Sequence, residues 1–247
     1  MISTLLLLAL AAPNPAPAVD VVVVVPLCDG SKLACGKGPA GDPRSLDGNL
    51  YWGALYGAER FLGRARGFRV IAKTDAPDPL QPALLRSVVV ERPAAAGERT
   101  VRLTLLAFDG ARIDDALAFF LREVRARRPG LLVWAGHDRL MDVADPDPRS
   151  AASSLSSSSS PPANVAVLAC VSERFFGPAL VARGARAVAL TRTFMAPEAY
   201  LLEALAHNVA VHGPADRSHL REALLRAYAR YQRISTRAAG SVFSQLE

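Results

Sequence analysis

Nine residues near the start of the chain, Val19-Asp20-Val21-Val22-Val23-Val24-Val25-Pro26-Leu27, narrow the fold before anything else is read. Branching at Cβ restricts valine rotamers and suits a pleated surface better than a helix. Five valines in succession leave neither face polar, so a strand here must be covered on both sides. That describes a central strand in a largely parallel sheet. Pro26, with no N–H for a ladder, ends it.

The rest of the chain alternates strand and helix patterns. Cys28–Gly48 is a loop dense in Gly, Pro and Asp. Asn49 reads as the N-cap of a helix over NLYWGALYGAERFL that ends near Gly63 or Gly67. Phe68–Thr74, Leu84–Glu91 and Thr100–Phe108 are strands; the last two form a hairpin or lie apart, and the pattern does not decide which. Asp114–Arg128 is an amphipathic helix with Leu117, Phe120, Leu121 and Val124 on one face, an acidic first turn and a basic end. Two apolar runs follow, LLVWAGHD from Leu131 and NVAVLAC from Asn164. Between them lies a polar stretch whose Ser-rich part, about 145–162, is expected to be a flexible loop. Glu173–Ala182 is a helix and Ala185–Thr191 a strand. Pro197 suits the first turn of a helix to about Val211, Ser218–Arg233 is a last amphipathic helix, and 237–247 is expected to be a frayed tail. Strands alternating with helices predict an α/β fold, one domain over 19–236. Its central sheet is mostly parallel, with helices on both faces in a three-layer sandwich.

With 51% apolar and 21% charged residues among 247, the chain can bury a large core and is not of disordered composition. The net charge of +6 comes mostly from arginines spread along helices, such as Arg122, Arg125, Arg127 and Arg128, with few aromatics between them. That is a solvated helix face, not a nucleic-acid surface. At the N-terminus, Leu5–Ala12 form an apolar core and Ala16-Pro17-Ala18 a small-x-small cleavage site before Val19. Residues 1–18 therefore read as a signal peptide, although no Lys or Arg precedes the apolar core, and the protein is expected in the periplasm or outside the cell. The stretch is too short to anchor the chain in a bilayer, and no later one is long and apolar enough to span it.

Of three cysteines, Cys28 and Cys35 lie close together in a Gly-rich loop and are a possible disulfide. That leaves Cys170 alone at a strand end, where it fits a catalytic thiol and equally a buried structural cysteine. In open α/β sheets functional groups gather at the carboxyl ends of strands, where His137 and Cys170 both fall. A thiol needs a nearby base to act as a nucleophile near neutral pH. His207, His212 and His219, on or between the C-terminal helices, read as surface residues. His137, Asp138 and Asp142 offer N and O ligands, but their spacing matches no strong metal signature, so neither metal nor cofactor is expected. Asp109, at a strand end, is a candidate member of either site. Tyr51, Trp52 and Tyr56 read as core.

The order of elements resembles the caspase-like (clan CD) cysteine peptidases, nearest to their CHAT-type and gingipain-like domains. That group shares an apolar strand ending in His-Gly and a later one ending in Ala-Cys. Here these are His137 and Ala169-Cys170. The helix DDALAFFLREVRARR, and after the cysteine the segments ALVARGARAVALT and LREALLRAYARYQ, match in order. The likeness covers about Arg112–Arg233, with Val19–Leu27 as first strand. It implies that Cys170 attacks a peptide carbonyl and that His137 donates a proton to the leaving amine. The oxyanion would lie on the backbone N–H groups of Cys170 and of the residue after the histidine. That residue is Asp138 where the family has glycine, which sets a carboxylate near developing negative charge. Asp29, Arg44, Asn49 and Glu173 are the substrate-binding candidates, and Asp42 and Asp47 lie in the same loop as Asp29 and Arg44. The implied function is an exported cysteine endopeptidase acting on peptide or protein. The alternative is a noncatalytic caspase-like domain that binds a peptide or partner protein in the envelope. A weaker third reading is a metal-assisted hydrolase on His137, Asp138 and Asp142. Oligomeric state is not legible.

Overall fold

The computed structural model describes residues 17–76, 78–126, 130–143 and 161–246. All but the last two residues of the expected signal peptide, nearly all of the Ser-rich stretch, and Arg127 and Arg128 lie outside them.

Seven strands form one sheet: β1 (Val19–Pro26), β2 (Arg69–Asp75), β3 (Leu84–Arg92), β4 (Val101–Phe108), β5 (Leu131–Ala135), β6 (Asn164–Leu168) and β7 (Arg186–Ala189). Their order is β2-β3-β4-β1-β5-β6-β7, so the valine strand is the central one. Neighbours from β4 through β1, β5, β6 and β7 are parallel. The other two pairings, β2 with β3 and β3 with β4, are antiparallel. The pairing of β3 with β4 closes the question left open above: Leu84–Glu91 and Thr100–Phe108 are a hairpin.

Alternation along β1 divides its valines between two cores. Val21, Val23 and Val25 are fully or almost fully buried with residues of α1 (Ala58–Leu62), α4 (Tyr200–His212), α5 (Ser218–Gln232) and α6 (Thr236–Gly240). Val24 is buried on the other face with Phe120 of α2 (Ile113–Ala126), Phe176 and Leu180 of α3 (Ser172–Val181), and Trp134. Each such side chain contributes about 1.5–3 kcal/mol on leaving water, which is why an all-apolar strand belongs at the middle of the sheet. Among the described residues no helix is long and apolar enough to cross a membrane.

Three expectations need correction. The segment after Asn49 is a run of turns, and its only α-helix is the short α1. Asn49 is fully buried and braces the first loop: its side chain accepts from Cys28 N and donates to the carbonyls of Cys28 and Asp42, each at 2.9 Å. Gly53 lies so close to the preceding turn that a Cβ there would meet the Asp47 carbonyl carbon at 2.3 Å. The tail is not frayed. It forms α6, and Val242 and Phe243 are buried behind it. Phe243 bridges Thr191 and meets the Tyr228 ring edge-on at 5.8 Å, while Ser244 N donates to Leu190 O. Finally, Pro197 precedes α4, which starts at Tyr200.

Candidate active site at the carboxyl edge of the sheet

The five parallel strands end on the same edge. From β1 the sheet grows toward β4 on one side and β5 on the other, a topological switch point of the kind that opens a crevice for ligands in α/β folds. The residues leaving this edge are Leu27-Cys28-Asp29 from β1, Asp109 from β4, Gly136-His137-Asp138 from β5 and Ala169-Cys170 from β6. Strands β5 and β6 pair Ala135 with Leu168, and Gly136 N extends the ladder by donating to Leu168 O. Two residues beyond that last pair stand His137 on one strand and Cys170 on the other.

His137 is 8% exposed, and its ring is not loose. Its Nε2 lies 2.7 Å from Asp142 Oδ2, and its carbonyl accepts from Trp134 Nε1. Asp142 belongs to a 3-10 turn, Arg139–Asp142, which Asp138 caps: Asp138 Oδ1 accepts from Met141 N at 3.1 Å. Arg139 ties the turn to α2 through both oxygens of Asp114, at 2.7 and 3.1 Å. Asp138 is fully buried, and its Oδ2 has no hydrogen-bond partner among the described residues. Burial therefore pushes its carboxyl up to about 7; two backbone N–H groups oppose the rise and the charge of Asp142 adds to it.

Cys170 is half-buried and is the one free cysteine. Its Sγ lies between the two main-chain groups of Met195, accepting from N at 3.4 Å and facing O at 3.5 Å. Burial pushes the thiol up; the Met195 N–H opposes this and the nearby Asp138 charge reinforces it. A thiol pushed up in this way is the reverse of one activated by an ion pair. Two tyrosines complete the neighbourhood. Tyr51 and Tyr228 are both close enough for the Cys170 charge to raise their phenols, and burial, the larger cause, takes Tyr51 to about 12. Tyr228 also accepts from Ala196 N.

The turn carrying Cys170 into α3 is firmly determined. Val171 has φ 51°, a left-handed conformation costly for a β-branched residue by about 1–3 kcal/mol. Buried Ser172 and Thr191 hold it there. Ser172 Oγ donates to Val167 O at 2.9 Å, and Thr191 Oγ1 accepts from Ser172 N and donates to Ala169 O. The N–H groups of Val171 and Glu173 go to the carbonyls of Thr193 and Thr191. The N–H groups of Val171, Ser172 and Glu173 are therefore all engaged within the turn.

The substrate-binding candidates divide. Asn49 is committed to the loop, and Asp29, 7% exposed, accepts from Ser31 N and Oγ at 3.0 and 2.7 Å. Both organise backbone. Arg44 is mostly exposed and forms a 2.5 Å ion pair with the buried Asp109, which also caps Ala111. Glu173 is half-exposed beside Arg192, 3.6 Å away. Cys28 and Cys35 are joined by a disulfide that closes the loop at the switch point. Among the described residues, His137, Asp138 and Asp142 do not gather as a metal-ligand cluster. Asp142, Tyr51, Tyr228, Ser172 and Thr191 are the contributors that sequence reasoning missed in these roles. Only Asp142, in the same short motif as His137, carried a local signal.

Comparison of the chain with protein-family models, with curated proteins and with solved structures finds no match in any of the three.

Proposed function

We propose that the protein is an exported cysteine peptidase of the caspase-like type, with the three-layer arrangement of that group. Cys170 is the nucleophile, and His137, steered by Asp142, is the acid–base group. The observation that carries this reading is the pair of neighbouring parallel strands, β5 and β6. They deliver an imidazole and the chain's one free thiol at equivalent steps past their last paired residues. A third group orienting the base is what such a nucleophile–base set requires. His137 takes the Cys170 proton as Sγ bonds to the carbonyl carbon of the substrate. As the C–N bond breaks, His137 gives that proton to the leaving amine, and water then hydrolyses the thioester and restores the thiol. The Cys28–Cys35 bridge supports an oxidising compartment, periplasmic or extracellular.

One observation favours a second reading, a noncatalytic domain of the same type that binds a peptide or partner. The thiol is held by Met195, and Asp138 opposes its ionisation. Digestion of a peptide library, read by mass spectrometry, separates the two. Cleavage by the wild type that is absent in Cys170→Ala and His137→Ala supports the peptidase. No cleavage, with iodoacetamide labelling of Cys170 indifferent to His137→Ala, leaves the binding domain.

A further inference from the structure

Away from the carboxyl edge, the turn between α4 and α5 gathers three side chains of ligand type. His212 ends α4, Asp216 lies in the turn and His219 is the second residue of α5. One ligand atom from each lies within 4.8 Å of the others. Two features bring them together. Gly213, at φ 84°, reverses the chain directly after His212. Asp216 then accepts from His219 N at 2.8 Å and lies 3.1 Å from His219 Nδ1. The two imidazoles stack, with centroids 3.9 Å apart and planes 4° from parallel.

We propose that His212, Asp216 and His219 bind one divalent transition-metal ion of the zinc type, with water completing its shell. Two imidazole nitrogens and one carboxylate oxygen are a donor set for Zn²⁺, Ni²⁺ or Cu²⁺. Ca²⁺ and Mg²⁺ prefer oxygen ligands throughout. Bonds of roughly 2.0–2.2 Å in a tetrahedral shell put ligand atoms about 3.4 Å apart, so the present spacing must contract. Both histidines are exposed and Asp216 is half-exposed, so side-chain rotation can do this. It unstacks the rings and turns their lone pairs toward one point. The negative pole at the end of α4 favours a cation at this turn and the positive pole at the start of α5 opposes it, so the donor set and not the helix ends carries the binding. Arg99, which donates to Val211 O at 3.2 Å, acts against the ion and keeps the affinity moderate. Once bound, the ion staples the end of α4 to the start of α5, two helices that share the larger core.

The site shares no residue with the carboxyl edge, so it stands or falls apart from the peptidase reading. The test uses the untagged full-length chain, stripped with chelator and titrated with zinc chloride by calorimetry. A parallel titration in a Cys170→Ser background removes the thiol as a competing ligand. One ion per chain is expected in both. His212→Ala and His219→Ala should each weaken binding by at least about tenfold. Zinc should raise the melting temperature of the parent and not of the double variant. Metal-free variants should melt with the parent, since both rings are exposed. Absence of saturable zinc binding, or binding of equal stoichiometry and affinity in both histidine variants, would overturn the proposal.

Discussion

Nε2 of His137 lies 2.7 Å from Oδ2 of Asp142, five residues further along the chain. The contact fixes the imidazole from the side of the 3-10 turn, so this ring nitrogen is already engaged before any substrate arrives. Asp142→Asn keeps the shape and removes the charge. A hydrogen bond to a charged group is worth about 1.5–3 kcal/mol. The substitution should lower peptide cleavage, or His137-dependent labelling of Cys170, by roughly tenfold or more, with the circular dichroism spectrum unchanged. Equal rates in wild type and variant would remove Asp142 from the mechanism.

Burial and the Asp138 charge both push the Cys170 thiol up. Labelling with iodoacetamide should therefore still be accelerating with pH above about 8.5, where a free thiol is half-ionised. Asp138→Asn removes one of the two causes. The variant should label faster than the wild type between neutral pH and 9, and its profile should move to lower pH. Superimposable profiles would show that the carboxylate does not reach the sulfur.

The same carboxyl makes a statement about stability. Folding raises Asp138 from the ordinary carboxylate value to about 7. A raised acid contributes its full stability below its unfolded value, near pH 4, and loses it as pH climbs through the folded one. The wild type should thus weaken between about pH 4 and 8 relative to Asp138→Asn, by at most about 4 kcal/mol. The asparagine keeps the cap on Met141 N and does not titrate. Urea unfolding of both proteins at the two ends of that range measures the difference, and a constant gap would contradict it.

Phe243 is 2% exposed, against Tyr228 and beside Thr191. Replacing it with alanine should cost about 3–5 kcal/mol. A chain truncated after Thr236 should lose at least as much. Thermal melts would detect either, and an unshifted transition in Phe243→Ala would mean that the C-terminal segment does not pack in solution.

Much of the sheet was legible because its signals are local. The valine run announces a strand buried on both faces, and the α2 stripe announces one apolar face. The hairpin of β3 and β4 was not decidable, since which strands pair is set by the chain as a whole. Asn49 misled for a chemical reason: the amide that makes a good helix cap also makes a good brace for a loop. The burial of Phe243 depends on the Tyr228 ring and the bridge to Thr191, contacts that exist only after folding. At the site, His137 and Cys170 stand out as polar ends of apolar runs. Tyr51 and Tyr228 do not, because their approach to the sulfur exists only after folding, and Ser172 and Thr191 look like ordinary strand and helix borders.

The bridge between Cys28 and Cys35 has a consequence for anyone who makes this protein. The loop that carries Asp29 toward the switch point is a covalent ring, braced at Cys28 by Asn49. A chain produced in a reducing cytosol keeps the noncovalent half of that arrangement and lacks the other. Two preparations of identical sequence would then differ in how the mouth of the site is fastened. A thiol count on the unfolded chain tells them apart: one free sulfur per chain marks material that has seen an oxidant, and three marks material that has not.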